Sequence, residues 1–445
     1  MNKMKLPTIL FLFMQTMALG QTLSLKQCID YALSNNGNIK IGDYEESIAQ
    51  KKVNEQIGTM LPQISASSSA DDNLKVATQL MPGALFGNPG TFVPVQMGTK
   101  YSVSAGVQAD QKIYDQTFWV GLKAAGISRD QSRLNLQKTK EKAVYSVSRT
   151  YYQTFVIQKQ CNVLKATIDA SEQSLKATEL KYSNGLAKKI DVDKVRVSFN
   201  NTQSQLQQTE LSYKQSLNNL KYQMGMPVDS TVVVVDIMLN PDSESIEMKT
   251  PNGKYYETII DYQLQKINLQ LQEADRSKNM AAYLPSLSFN AKYNYQAMPN
   301  DLNSDLTWYE NSSIGLSLSI PLFDGLQKGA RLAQSKFSIE KAKENIKLTE
   351  QSIKVDISNY EIQYRNAIDN IKSEKENLSL AEDVYKNTLL EYQQGASSSL
   401  DLVQTGSSLR EAQDNYFNKL LNLFIARLDL EQSKGTLMDF INHIE

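Results

Sequence analysis

The sequence predicts a mostly α-helical protein that also supplies four β-strands to a membrane barrel. Three observations lead to this fold class: long stretches without proline, short stretches of alternating apolar and polar residues, and matching landmarks in the two halves of the 445-residue chain. Proline breaks a helix interior, so long proline-free stretches favour long helices. Alternation with a period of two is typical of a strand with one apolar face. The repeated landmarks make the fold an internal two-fold repeat.

Two very long helices are predicted where proline is absent. Residues 95–226 contain no proline, and neither does the chain after Pro321. The helices predicted there, 115–182 and 325–392, would each be about 100 Å long at ~1.5 Å per residue. Apolar residues recur in both at spacings of three and four, which is typical of a coiled-coil seam. These seam residues are Val144, Val147, Tyr151 and Phe155 in the first helix, and Ile353, Ile357, Tyr360, Tyr364, Ile368 and Ile371 in the second.

Each long helix is predicted to end near a glycine, Gly185 or Gly395, and to be followed by a second helix. Glycine accepts the left-handed conformation that ends many helices. The second helices are predicted over 191–224 and 400–434, with Asp191 and either Ser399 or Asp401 suited to their starts. Each half is therefore predicted to contain a helical hairpin whose tip lies far from the strands.

Four short stretches are predicted as strands, entered from shorter helices at 24–59 and 255–283. Residues 287–297 and 314–322 alternate cleanly, residues 101–109 do so more weakly, and the run after Pro62 is nearly all Ser and Ala. Strands of about ten residues with one polar side match a membrane barrel with a wet interior. A soluble β-sandwich is the alternative. Four strands cannot close a barrel, and open edges in lipid are prohibitive, so two, three or more copies must share it.

Three aromatic residues, Trp119, Trp308 and Tyr309, lie near the predicted strand ends. Aromatic girdles mark both interfaces of membrane barrels. Packing is an equally good interpretation of single aromatic side chains, and both interpretations stay open at this point.

The repeat divides the chain into four predicted segments. They are a signal peptide at 1–20, a first repeat at 21–226, a linker at 227–254 with a short strand at Val232–Val235, and a second repeat at 255–445. The matching landmarks are 61–65 and 284–288, 113–115 and 322–324, and 182–191 and 392–401. About a dozen additional residues around 81–90 in the first repeat are predicted to form a longer loop, because loops absorb insertions most easily.

The first twenty residues have the pattern of a secretory signal peptide. Lys3 and Lys5 precede an apolar run at 9–19, and Ala18-Leu19-Gly20 fits a small-x-small cleavage site. The run is too short to span a membrane comfortably, and no cysteine follows the predicted cleavage site. We therefore expect an exported protein without a lipid anchor at that position.

The composition excludes several classes of function. The net charge is −1, so no basic patch for nucleic acid is indicated. His443 is the only histidine, which removes most metal sites and nucleophile–histidine pairs, and no phosphate-binding loop is present. The sequence predicts no enzyme and no cofactor. Cys28 and Cys161 are interpreted as helix-packing residues, with a single disulfide as the alternative.

Taken together, these features resemble the TolC-like outer-membrane efflux protein family, also called outer-membrane factors. The resemblance rests on the Leu-Pro before each first strand, the Tyr-x-x-Gly-x-x-x-x-x-Asp at each hairpin tip, the duplicated order, and the opening stretch 23–36. It covers essentially the whole chain after residue 20.

The resemblance implies a homotrimer with a twelve-stranded barrel in outer-membrane lipid and a helical tunnel, about 100 Å long, in the periplasm. The tunnel would be a passive exit duct for efflux or type I secretion. Its hairpin tips would dock a periplasmic adaptor bound to an inner-membrane pump of the RND or ABC type. The implied docking residues are Asn184, Gly185, Leu186 and Ala187 in the first hairpin, and Gln394, Gly395, Ala396 and Ser397 in the second.

The resemblance also implies a constriction at Asp401, because the family narrows its inner end with aspartates on the second hairpin. Gln404 stands where the best-known member has a second aspartate, Ser397 stands where it has a latching arginine, and Asp191 is the first-repeat counterpart of Asp401. The alternative is that both aspartates only start helices, favoured there by the helix dipole.

A soluble periplasmic coiled-coil scaffold is the rival function. It would account for the helices and would leave the alternating strands unexplained.

Overall fold

The computed structural model of this protein describes residues 21–235, 255–301 and 306–442. The predicted signal peptide and most of the predicted linker lie outside these residues, and the boundaries of the four predicted segments stay a prediction. The chain forms two compact units. The first consists of Met1–Glu45, Ser132–Gln265 and Asn345–Glu445, and the second consists of Glu46–Gln131 and Lys266–Glu344.

The secondary structure follows the predicted repeat. The described strands are β1 (Gln21–Leu23), β2 (Gln63–Asp72), β3 (Thr78–Pro82), β4 (Phe92–Gln96), β5 (Tyr101–Tyr114), β6 (Val232–Val234), β7 (Ser286–Ala297) and β8 (Trp308–Ser319). The described α-helices are α1 (Leu25–Asn35), α2 (Gly37–Gly58), α3 (Gln116–Ser183), α4 (Lys189–Met224), α5 (Ile260–Ala281), α6 (Gln327–Gln394), α7 (Ser399–Lys434) and α8 (Leu437–Asn442).

The helical hairpins have the same dimensions in both repeats. Helices α3 and α6 contain 68 residues each, and α4 and α7 contain 36 each. The predicted long helices are confirmed to within two residues at either end. Across the three described ranges, no helix is both long enough and apolar enough to cross a membrane.

The predicted seams form the core of the first unit. Val147 and Tyr364 are completely buried, and the other seam residues of α3 are at most 4 % exposed. They pack against buried residues of α1, α4, α7 and α8. The long helices are therefore held by side packing, because helical propensity alone contributes little to helix stability in proteins.

A small parallel sheet is attached to this core. β1 pairs with β6, which confirms the strand predicted at Val232–Val235. The Tyr151 hydroxyl shares its one proton between the carbonyl oxygens of Leu23 (3.2 Å) and Val235 (3.1 Å). One buried side chain of α3 thus contacts backbone groups of β1 and of the residue that follows β6.

The two cysteines are free and buried, in α1 and α3. Burial raises the pKa of Cys28 to about 12, and it also raises the pKa of Cys161. The interpretation of both as packing residues is confirmed.

The second unit contains an antiparallel sheet with the strand order β2-β5-β7-β8. Its register brings the predicted apolar faces together: Leu287 pairs with Leu318, and Phe289 pairs with Leu316. Directly opposed residues share a face of the sheet. The other face carries polar side chains, among them Ser65, Ser67, Gln108, Asn290, Lys292, Asn294 and Ser313.

Two predicted strand details are corrected. β8 begins at Trp308, six residues earlier than expected, and ends at Ser319 rather than Leu322. Its first half was missed because Trp308, Glu310 and Ser312 share the apolar face without forming an apolar pattern. Trp119 lies in the first turn of α3, five residues after the end of β5, and packs edge to face with Phe118 at 5.2 Å between ring centroids.

The single N-terminal helix predicted at 24–59 is in fact two helices divided at Asn36. The Asn36 side-chain oxygen accepts hydrogen bonds from the backbone N–H groups of Asn38 (2.8 Å) and Ile39 (3.4 Å). Asparagine commonly starts a helix in this way, because it satisfies the backbone donors that lack helical partners. The helix predicted at 255–283 is likewise a 3₁₀ turn, Tyr255–Thr258, followed by α5.

The additional residues around 81–90 form a hairpin of their own instead of a plain loop. β3 pairs with β4, and the 3₁₀ turn Gly83–Phe86 connects them. The Gly83 N–H donates to the carbonyl oxygen of Thr91 at 2.7 Å, and a Cβ atom at Gly83 would lie only 2.3 Å from the Thr91 hydroxyl. This close approach explains why glycine is needed at the position.

Candidate functional site at the hairpin tips

The two hairpin tips end their long helices in the same way. Gly185 and Gly395 have φ angles of 70° and 83°, so both are left-handed. The next residue in each tip donates a backbone hydrogen bond across the turn, Leu186 to Lys181 and Ala396 to Glu391, both at 2.8 Å. This is the Schellman arrangement, and it confirms both glycines as helix-ending residues.

The starts of the second helices differ from expectation. Ser398, rather than Ser399 or Asp401, precedes α7, and its hydroxyl lies 3.2 Å from the Asp401 N–H and 2.7 Å from the Asp401 carboxylate. The Asp401 carboxylate also accepts from the Ser398 N–H at 3.2 Å, which completes a reciprocal capping box. In the first hairpin Lys188 takes the place of Ser398, and only the return bond from the Lys188 N–H to Asp191 is made, at 3.2 Å.

The tips contact each other through side chains. The Ser399 hydroxyl donates to the Asp191 carboxylate at 2.6 Å, and the hydroxyls of Thr178 and Tyr392 lie 2.7 Å apart. The Lys181 ammonium donates to the Tyr392 carbonyl oxygen and lies 4.4 Å from the centre of the Tyr392 ring. The second hairpin is thus fixed to the first at three points.

The two tip tyrosines have different roles despite their matching positions. Tyr392 is 6 % exposed and makes the contact with Thr178, whereas Tyr182 is 47 % exposed. Tyr392 therefore contributes a hydroxyl contact across the tip, and the exposed Tyr182 is placed differently.

The predicted constriction residues Asp401 and Gln404 are exposed in this chain, and Asp191 is half-buried. Hydrogen bonds, chiefly from Ser398, lower the pKa of Asp401 below its usual value, and a bond from Ser399 is the main cause of the lowered pKa of Asp191. Both carboxylates are therefore charged near neutral pH. Gln404 is exposed on α7, one turn beyond Asp401. Asp191 of the first hairpin is hydrogen-bonded to Ser399 of the second, and Ser399 is two residues before Asp401 in the chain.

The predicted docking residues form exposed loops at both tips. Leu186 is 79 % exposed, and Ala187 and Ser397 are half-buried. Sequence reasoning missed two neighbouring apolar residues, Ile190 and Leu400, which are each 58 % exposed at the starts of α4 and α7. Both lie five residues after the tip glycine of their hairpin, and this matching position in the repeat could have identified them from the sequence. The remaining docking residues, Asn184, Gly185, Gln394, Gly395 and Ala396, are all exposed.

A metal site is not found in the described part of the chain. Among residues 21–235, 255–301 and 306–442, no group of three or more His, Cys, Asp or Glu side chains is placed to hold an ion.

Comparisons with known proteins agree with this architecture. The family model described as outer membrane efflux protein matches residues 28–226 and 261–436. The outer membrane protein TolC of Vibrio cholerae is 23 % identical over 348 residues, covering 76 % of this chain and 77 % of that protein. TolC of Escherichia coli is 20 % identical over 442 residues, covering 94 % and 84 %.

A solved structure has the same fold. The crystal structure of the outer membrane protein VceC from Vibrio cholerae superimposes with a TM-score of 0.71 at 16 % identity, covering 92 % of this chain and 96 % of that one. The family model covers both halves of the predicted repeat. The chain therefore belongs to the outer membrane efflux protein family, whose members are channels of the outer membrane rather than enzymes.

Proposed function

We propose that this chain is one subunit of a homotrimeric exit duct in a tripartite efflux or type I secretion system. Three copies would each contribute four strands to one closed barrel. The observation that carries this proposal is the four-stranded sheet, whose edge strands β2 and β8 have no further strand partner among the described residues. In lipid an open edge leaves backbone groups unsatisfied at a cost of several kcal/mol each, so closure by other copies is required.

Outer-membrane lipid is the proposed environment of the apolar face of this sheet. Ile314 is 81 % exposed in the single chain, and Leu316 and Leu318 on the same face are also exposed. Apolar side chains in a row on one sheet face, opposite a polar face, match the outer wall and the lumen of a membrane barrel.

The helices next to the edge strands support contacts between subunits. α2 immediately precedes β2, and α6 follows β8. Both helices have large exposed apolar residues, Ile48 and Ile57 on α2 and Phe337 and Leu348 on α6. Large exposed apolar side chains along an element mark protein contacts, and a trimer would cover these rows.

The proposed role of the hairpin tips is to dock a periplasmic adaptor, itself bound to an inner-membrane pump of the RND or ABC type. The exposed apolar side chains of Leu186, Ile190 and Leu400 are suited to contact apolar side chains of a partner. Asp401, with Gln404 and Asp191, is proposed to line the constriction, since three copies of a charged carboxylate around one axis attract cations.

A photo-crosslinking experiment tests the docking role. A photoreactive amino acid is placed at Leu186 in the native host, with the same probe at Tyr222, an exposed residue at the far end of α4, as the matched control. We expect the Leu186 probe to capture a periplasmic adaptor and the Tyr222 probe to capture none. Capture of only the neighbouring subunits at Leu186, in well-expressed membrane-inserted protein, would contradict the docking role.

A further inference from the structure

A small, partly open cavity lies between α3, α4, α6 and α7. It has a volume of about 20 Å³, and each of the four helices contributes to its lining. Arg410, on its wall, lies about three helical turns from the start of α7. A cavity of ~10–15 Å³ suffices for one water-sized occupant, so this one has room for a single small molecule or ion.

Arg410 brings a half-buried positive charge to this cavity. The guanidinium donates hydrogen bonds to the hydroxyl oxygens of Ser407 (2.8 Å), Thr202 (3.3 Å) and Ser198 (3.5 Å). It takes part in no ion pair within the described ranges. Burying a charge without a counter-charge is costly. Neutral hydroxyl oxygens compensate only part of that cost.

The nearest carboxylate on the same helix is already engaged. Asp414, one turn further along α7, accepts hydrogen bonds from the side-chain amides of Gln160 (2.7 Å) and Gln205 (3.1 Å), one on each carboxylate oxygen. The negative charge of Asp414 lowers the free-energy cost of burying the Arg410 charge, but Asp414 accepts no hydrogen bond from the guanidinium. A guanidinium offers five N–H donors, of which three are used here.

The rest of the lining supplies further donors and no second charge. Arg410 is the only charged residue among the lining residues. Burial raises the pKa of Tyr385, although side-chain hydrogen bonds with Ser171 and Ser174 act in the opposite direction, so its hydroxyl keeps its proton at physiological pH. The Ser198 hydroxyl accepts from Arg410 and retains its own proton for another acceptor. A cavity with one fixed positive charge and several hydroxyl donors favours a negative occupant over a neutral one.

We propose that this cavity is a binding site for a small monovalent anion, chloride, held by the Arg410 guanidinium and the hydroxyls of Ser198 and Tyr385. A volume of about 20 Å³ suits a single small ion. Because the ion contacts helices from both hairpins, it binds the packed bundle and not the separated helices. Chloride therefore stabilises the folded bundle near the tips. The site is independent of which adaptor or pump the channel serves.

Thermal unfolding and a bromide soak test the site in the purified, detergent-solubilised full-length protein. Unfolding is measured in sodium chloride and in sodium gluconate at equal ionic strength. We expect chloride to raise the melting temperature by roughly 2–4 °C. Crystals soaked in bromide are expected to show an anomalous peak beside Arg410.

Two variants of the site are compared with one control. Arg410→Gln removes the charge. Gly406→Ala leaves the charge and places a Cβ atom 3.4 Å from the Tyr385 ring and 3.9 Å from the Arg410 side chain, inside the cavity. Arg196→Gln is the matched control, because Arg196 is an exposed arginine of α4 paired with Glu179 at 2.7 Å.

The outcomes separate an anion site from a water site. We expect the chloride-specific rise to disappear in both site variants and to persist in the control. Equal melting temperatures in chloride and gluconate for the unmodified protein, together with no bromide peak at Arg410, would show that the cavity holds water and would overturn the proposal. A chloride effect that survives in Gly406→Ala would place the ion elsewhere and would also overturn it.

Discussion

The two hairpins of this chain share one backbone plan and differ in the side chains at their tips. Both have helices of 68 and 36 residues, and both turn through a left-handed glycine. Only the second hairpin has a serine-capped second helix, and of the two tip tyrosines, Tyr182 and Tyr392, only Tyr392 is buried. The repeat therefore conserves what the backbone needs, while the side chains that join the hairpins diverge.

The largest expected effect of this difference is at the tyrosines. Tyr392→Ala removes a buried ring and the contact with Thr178, so we expect the tip to lose about 3–5 kcal/mol of stability. The counterpart Tyr182→Ala removes a half-exposed side chain and is expected to cost within ~0.5 kcal/mol. Hydrogen exchange of the tip amides measures both. Equal losses of protection in the two variants would contradict the assignment of different roles.

The glycines are expected to behave alike. Gly185→Ala and Gly395→Ala each force a side chain into the left-handed region, which costs roughly 1–2 kcal/mol. Neither substitution has a neighbouring atom to meet, so the cost is confined to the backbone. Local opening of the tips, followed by hydrogen exchange, gives the comparison. A clear difference between the two variants would mean that the two turns are not equivalent.

The helix starts are expected to differ by a smaller amount. Ser398→Ala removes the hydroxyl of the capping box and is expected to cost about 1 kcal/mol. Lys188→Ala, at the same position of the first hairpin, removes no capping bond and should be nearly neutral. Exchange rates of the first-turn amides of α7 and α4 distinguish them, and a larger effect at Lys188 would refute the capping assignment.

The smallest effect concerns pH. The pKa values of Asp191 and Asp401 are lowered from 3.8, so the stabilisation they provide is fully present above about pH 4 and is lost as the pH falls through the lowered values. Ser399→Ala should raise the pKa of Asp191 and leave that of Asp401 unchanged. Ser398→Ala should raise the pKa of Asp401 and leave that of Asp191 unchanged. The pH dependence of tip exchange between pH 2 and 5 tests this. A shift of both aspartates in either variant would mean that they titrate together.

Sequence patterns predicted the helices well because each signal is local. The absence of proline, the spacing of the seam residues and the glycines at the tips each determine helical structure within one or two turns of the residues concerned. Strands β5 and β7 were found for the same reason, since their apolar face alternates. Family membership then confirmed the outer-membrane location and the non-enzymatic class.

The missed features depend on contacts distant in sequence or on backbone angles. Asn36 divides α1 from α2 while its side-chain amide donates to the Gln223 carbonyl oxygen at 2.6 Å, 187 residues away. Ser398 lies between two other serines, and the sequence prediction of Ser399 or Asp401 for the helix start missed it. Tyr182 and Tyr392 occupy the same place in the repeat, so the sequence could not tell which one is buried. The Arg410 cavity is lined by residues of all four helices, so no pattern within one helix could predict it.

Several copies of this chain are proposed to close one barrel, and three copies would supply its twelve strands. Native mass spectrometry of the protein extracted from outer membranes in mild detergent tests it most directly. We expect a trimer, because the edges of β2 and β8, which have no further strand partner among the described residues, and the exposed rows on α2 and α6 must be covered. A stable, folded monomer would contradict it.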